Sequence, residues 1–211
     1  LAILAQSATA CDSLVNCRVI INNVQRDFGD APISYDLNET STPVAAAHTI
    51  TPGLHLGSTG PDAETANQPS ANADSEPEDD GIQVDSIEYR VNANGRVPIV
   101  ATNTTANDAY ANAFVDWNRD GDFLDTLESG KILTVPAGSG TQNYTIRMRA
   151  PAGVSATPAV YVRLRLALDS TRVRRSFASA GGGEVEDFLM VLDSLPTSEF
   201  CGNGEDRSEE R

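Results

Sequence analysis

The stretch Ala159-Val160-Tyr161-Val162-Arg163-Leu164-Arg165-Leu166-Ala167-Leu168 alternates with a period of two. Val162, Leu164, Leu166 and Leu168 fall on one side; Tyr161, Arg163 and Arg165 fall on the other. Successive side chains of a strand point to opposite faces, so this pattern predicts a half-buried antiparallel strand. Upstream, Tyr144, Ile146 and Met148 alternate with Thr145, Arg147 and Arg149 in the same way. Strands are also expected over 82–91, 96–103, 109–117, 131–135 and 184–192, and turn signals such as Asn94-Gly95, Asp120-Gly121 and Pro151-Ala152-Gly153 separate them. With a further β-branched run at 16–24, this predicts an all-β protein: an antiparallel β-sandwich of about eight strands with a long acidic loop region. No segment has a convincing helical period, and no internal repeat is found.

The 211 residues suffice for one such domain with extensions. The expected division is an N-terminal extension over 1–25, a sandwich domain over 26–193 and a polar tail over 194–211. The chain carries 30 acids against 15 bases, a net charge of −15. A phosphate backbone or an anionic membrane surface would be repelled on average, so no nucleic-acid partner is expected. No apolar run reaches the 18 or so residues of a transmembrane helix. Fourteen of the bases are Arg and only Lys131 is Lys. Arg grips carboxylates bidentately where Lys does not, although genome base composition produces the same bias.

The segment Leu1 to Ala10 ends in small residues, Ala8 and Ala10, at the spacing of a secretory cleavage site, which predicts Sec export. Three cysteines, Cys11, Cys17 and Cys201, allow three different single disulfides and leave one thiol over. Two readings of the N-terminus stay open. Leu1, Ile3 and Leu4, with Val19, Ile20 and Ile21, form Pro-free apolar stretches suited to insertion into a neighbouring subunit. Alternatively, 1–10 is a signal remnant and 16–24 pairs within its own domain.

The strongest chemical signal is Asp116-Trp117-Asn118-Arg119-Asp120-Gly121-Asp122. Oxygen-bearing side chains at positions 1, 3 and 5, with Gly at 6, form the opening half of a calcium loop; the seventh residue, Asp122, would offer its backbone oxygen. An EF-hand would place a bidentate Glu at position 12, but Leu127 stands there and Glu128 is one residue late. The flanks are strands, so this is an Asp-rich hairpin turn that either binds Ca²⁺ or closes on itself through Asx-turns. A second group, Glu184, Glu186 and Asp187, lies on one strand, with Glu184 and Glu186 on one face. Its charge is countered either by Arg163 and Arg165 on a neighbouring strand or by a cation shared with the Asp116 turn. Residues 61–81 hold seven acids and no base, and read as a solvated loop or as one partly ordered by a cation. Neither HExxH nor GxSxG occurs, and His48 and His55 have no nucleophile near them in sequence, so no enzyme activity is expected.

Gly183-Glu184-Val185-Glu186-Asp187-Phe188 resembles the signature of the GEVED domain. Asp27-Phe28-Gly29-Asp30-Ala31-Pro32 with Ser34-Tyr35, His48-Thr49-Ile50, Leu56-Gly57, Asp62-Ala63-Glu64, Gln68 to Asp74, Asp79-Asp80-Gly81, the Asp116 turn and Arg163 to Leu166 follow in the family's order. The resemblance covers 26–193 and implies a bacterial, exported β-sandwich without a defined enzymatic activity. It leaves two functions in view. The first is a Ca²⁺-stabilised structural subunit of a surface filament or assembly, partnered by copies of itself or by other cell-surface proteins. The second is a Ca²⁺-binding adhesion or carbohydrate-contacting module of a larger secreted protein.

Overall fold

The computed structural model describes residues 24–89 and 94–194. Ten strands occur there: β1 (Arg26–Phe28), β2 (Ala47–Thr49), β3 (Leu54–Leu56), β4 (Ser86–Tyr89), β5 (Asn94–Asn103), β6 (Ala109–Val115), β7 (Leu133–Val135), β8 (Gly140–Arg149), β9 (Val160–Ala167) and β10 (Ser179–Ser194). Every strand expected between 82 and 192 is present, with shifted ends. The three-residue strands β1, β2 and β3 were not expected; they sit in the turn-rich stretch, too short to show alternation. The run at 16–24 apart from Val24, the residues Leu1, Ile3, Leu4, Val19, Ile20 and Ile21, and Cys11, Cys17 and Cys201 lie outside the described residues, as does 195–211.

The strands form one curled sheet in the order β3-β5-β4-β10-β9-β6-β7, with β8 on β5 and β2 joining β1 to β10. Strand β10 is sixteen residues long and belongs to both halves. Gly183 to Met190 pair antiparallel with β9, while Val191 to Ser194 pair parallel with β4. The start of β10 also runs parallel to β2, so the sheet is mixed rather than purely antiparallel. Gly183 makes the close passage to β9 possible: its φ is +140°, and a Cβ there would collide with the carbonyl of Leu166.

Curling brings the two halves face to face over one apolar core. Leu54, Leu56, Ile87, Val97 and Ile99 from one half meet Ala113, Val162, Leu164 and Leu166 from the other. Burial of each large aliphatic side chain stabilises the fold by roughly 1.5–3 kcal/mol. Ile146 and Met148 are buried as their alternation predicted. Leu168 is a correction: it lies just past the end of β9 and is 37% exposed.

The larger correction concerns the opposite face of β9. Arg163 and Arg165 are not on a half-solvated surface; both are 0% exposed. Strand β2 and the short 3-10 turn Ile33–Asp36 bond to these guanidinium groups and cover them. The sheet therefore has a second buried layer, built from charge.

Candidate metal centre and buried charge layer

Arg163 organises that layer. Its Nε and Nη2 donate to Oδ1 and Oδ2 of Asp187 at 2.7 and 2.8 Å, the bidentate geometry that a guanidinium plane favours. Its Nη1 donates to Asp36 Oδ1 at 3.0 Å and to the carbonyls of Tyr35 and Ser176. Burial alone would lower the Arg163 pKa, but Asp187 and Asp36 more than reverse this and hold the charge firmly in place. Arg165 differs. Its five bonds go to His48 Nε2 at 3.1 Å and to the carbonyls of Arg175, Phe177, Ala47 and Ala178. Burial, then repulsion from Arg163, brings its pKa down to about 9. His48 accepts from Arg165 and is wholly buried, so burial first and the two guanidiniums second keep its imidazole neutral. It is thus a member of a buried network in β2. His55 lies half-buried in β3, with its Nδ1 2.9 Å from the carbonyl of Leu56.

Of the signature acids, Asp187 meets Arg163, but Glu184 and Glu186 lie on the other face. They stand opposite Leu166 and Leu164 across the ladder, whereas Asp187 stands opposite Arg163. Glu186 accepts the amides of Asp80 and Gly81, at 3.3 and 2.9 Å, and Glu184 accepts the amide of Leu56. Gly81 leaves room for this approach, since a Cβ there would press on the Glu186 carboxyl. Burial pushes both glutamates well above the usual carboxyl range, helped by the charge of Glu186 at Glu184 and by Asp80 at Glu186. Arg163 thus counters one signature acid out of three, and backbone amides serve the other two. None of the three belongs to a group of carboxylates close enough to share an ion, among the described residues.

The Asp116 turn does form such a group. One oxygen from each of Asp116, Asp120 and Glu128 lies within 4.8 Å of the others. Asp116 leaves the end of β6 fully buried. Its Oδ1 accepts the amide of Arg119 at 2.5 Å, and its Oδ2 accepts Tyr35 Oη at 2.6 Å and the amide of Gly121 at 3.1 Å. Burial and the Asp116 carboxylate keep the Tyr35 phenol protonated, so it remains a donor. Glu128 enters one residue late because Leu127 takes a left-handed φ of +80°, absorbing the extra residue; Trp117 Nε1 anchors that turn on the Leu127 carbonyl at 3.1 Å. Glu128 is 2% exposed. Its Oε2 accepts the Asp125 amide at 3.1 Å, and its Oε1 is buried without a partner. Burial, with the charges of Asp116, Asp120 and Asp125, pushes its pKa up to about 8. Asn118 and Asp122 sit on the rim: Asn118 donates to Asp120 and Asp125, and the Asp122 carboxylate accepts the Leu124 amide. A hard cation fits this cage, since it would satisfy the unpartnered oxygen and relieve three crowded carboxylates.

The sequence reading missed the acids of the Asp27-Phe28-Gly29-Asp30 motif. Asp27 Oδ2 takes the Val185 amide at 2.7 Å and Asp30 Oδ2 takes the Ser75 amide at 2.6 Å, locking the N-terminal layer to β10 and to the acidic loop. That loop is tied down: Glu64 accepts the Phe28 amide, Asn67 donates to Asp36, and Asp79 accepts the Asp187 amide. Two short acidic motifs flanking an Ala-Pro were the available signal, but nothing in their spacing shows which layer they enter.

These observations define a class: an all-β domain closed on one face by an apolar core and on the other by an arginine-centred polar layer, with an acidic cage at one strand end. The family model described as GEVED domain matches residues 110–191. The match holds the Asp116 cage, Arg163, Arg165 and the signature acids, whereas Asp27, Asp30, Asp36 and the acidic loop precede it. No curated protein matches the chain.

Proposed function

We propose that this chain is a non-enzymatic, extracellular structural protein: a Ca²⁺-stabilised β-sandwich subunit of a cell-surface filament or assembly. The observation that carries the reading is the buried, unpartnered Oε1 of Glu128 in the company of Asp116 and Asp120. Asp116, Asp120 and Glu128 would hold the ion, with Asn118 and the backbone of Asp122 completing an oxygen shell; the ion would fix the turn leaving β6. Such a site suits a compartment where calcium is abundant, because extracellular modules function with weak affinities. The structural role is supported by where the other acids are spent. Glu184, Glu186 and Asp187 are committed to amides and to Arg163, where they hold elements together. Assembly by exchange of the strand carrying Leu1, Ile3, Leu4 and Val19 to Ile21 is the mode proposed from sequence.

The test has two arms. Calcium titration calorimetry on the full chain should show a site that Asp120→Ala removes; binding unchanged by that substitution would end the calcium reading. Negative-stain microscopy of the protein in calcium should show fibres or ordered arrays. Dispersed monomers at every concentration would end the assembly reading.

A further inference from the structure

A second group of carboxylates lies away from the Asp116 turn, beneath the acidic loop. One oxygen from each of Asp27, Glu64 and Glu76 falls within 4.8 Å of the others. Asp27 projects from β1 and is 3% exposed; Glu64 and Glu76 come from the loop, more than 35 residues further along the chain. Two of the three are held in place: Asp27 by the Val185 amide, and Glu64 by the Phe28 amide at 2.9 Å and Gln68 Nε2 at 3.0 Å.

Two further observations point to a missing partner. Asp30 is 0% exposed and its Oδ1 has no donor, although its Oδ2 takes the amide of Ser75, the residue before Glu76. Glu76 Oε1 is likewise buried without a donor. A polar atom withdrawn from water without a hydrogen bond is costly, and two neighbouring acids share that cost here. Among the described residues no cation pairs with them. Arg163 is committed to Asp187 and Asp36, Arg165 to carbonyls and His48, and the one other ion pair among the described residues is Arg172–Asp169. Four carboxyls, Asp27, Asp30, Asp36 and Asp187, are buried in and beside this layer with two guanidiniums, while Glu184 and Glu186 are buried on the opposite face of β10.

We propose that Asp27, Glu64 and Glu76, with Asp30 beside them, form a second divalent-cation site, independent of the Asp116 turn, that pins the acidic loop to β1. The ligands are all hard carboxylate oxygens, which select a hard cation of the Ca²⁺ class over softer metals. Such an ion would fasten the most acidic stretch of the chain, the acidic loop, to β1.

The experiment is calcium calorimetry on the full chain with three proteins: wild type, Asp120→Ala, and the double variant Glu64→Gln with Glu76→Gln. Two ions per chain are expected for wild type and one for each variant. The double variant changes two partly exposed side chains to near-isosteres, and circular dichroism checks that it folds. If it does not fold, Asp120→Ala alone decides: one retained ion supports the second site, and none overturns it. Wild-type stoichiometry in a folded double variant would also overturn it. A failure of the Asp116 site would instead appear as an Asp120→Ala protein indistinguishable from wild type, so the two sites are judged separately.

Discussion

Leu164 and Arg163 are neighbours on β9, and both are 0% exposed. Leu164 enters a contact set of aliphatic groups that tolerates small adjustments. Arg163 enters a set of oriented bonds to Asp187, Asp36 and two carbonyls, all in fixed directions. The apolar layer draws its stability from area removed from water. The charged layer fixes which segments lie together and in what register, because each partner left alone is penalised. Alternation along a strand distinguishes side from side; it does not distinguish inside from outside when both sides are covered.

The largest effect should come from breaking the charged layer. Arg163→Ala leaves Asp187 and Asp36 buried without a counter-charge, and a loss of about 3–5 kcal/mol is expected in urea unfolding. A loss below about 1 kcal/mol would show that water reaches the site and that the two faces are not equivalent. Leu164→Ala on the apolar face should cost about 2–5 kcal/mol, set by how far the core closes over the cavity.

Next comes a pH test within the charged layer. The pKa of His48 is lowered in the folded state, so the unfolded chain binds the extra proton and stability falls as pH drops below about 6.5. Protonation would remove the lone pair that Arg165 uses and place a third cation beside two others. Raised carboxyls act in the opposite direction: Asp30, with burial holding its pKa at about 6, takes up a proton on folding and gains stability over the same fall. The comparison with His48→Gln isolates the histidine. The stability gap between wild type and variant should shift by about 1.4 kcal/mol per pH unit between pH 6.5 and 5, against wild type. A constant gap would contradict a neutral, buried His48. The smallest effect belongs to the exposed counterpart of the Arg163 pair: Arg172 and Asp169 are 3.8 Å apart and well exposed, so Arg172→Ala should leave the urea midpoint unchanged.

Most strands from Ser86 onward were legible because they are long enough for alternation or a β-branched run to show between turn signals, and three-residue β7 because it sits in the apolar run Ile132 to Val135. The Asp116 turn was legible because residues close in sequence carry their spacing with them. Glu128 was legible as a candidate, but its route into the cage was not, since that depends on the left-handed turn at Leu127. The charged layer was legible at one pair only: Arg163 on a neighbouring strand was one of the two counter-charges in view for the signature acids, and it meets Asp187. The partners of Arg163 stand at 36 and 187, and the carboxylates Asp27, Glu64 and Glu76 meet only through the fold. Two residues sharing a face can be read from one strand; what covers that face is supplied by a segment more than a hundred residues away.

Amide hydrogen exchange followed by mass spectrometry tests most directly whether residues 26–50 form a permanent layer over the arginine face of β9. The amides of Ala31, bonded to Asp187 Oδ2, and Ala46, bonded to Asp36 Oδ1, belong to that layer, and the Val185 amide, bonded to Asp27 Oδ2, ties it to β10. Peptides covering 26–50 should exchange as slowly as those of β9 and open with them in one cooperative unit. Rapid exchange over 26–50 beside a protected β9 would contradict the account, because Arg163 and Arg165 would then face water and the sandwich would have a single core.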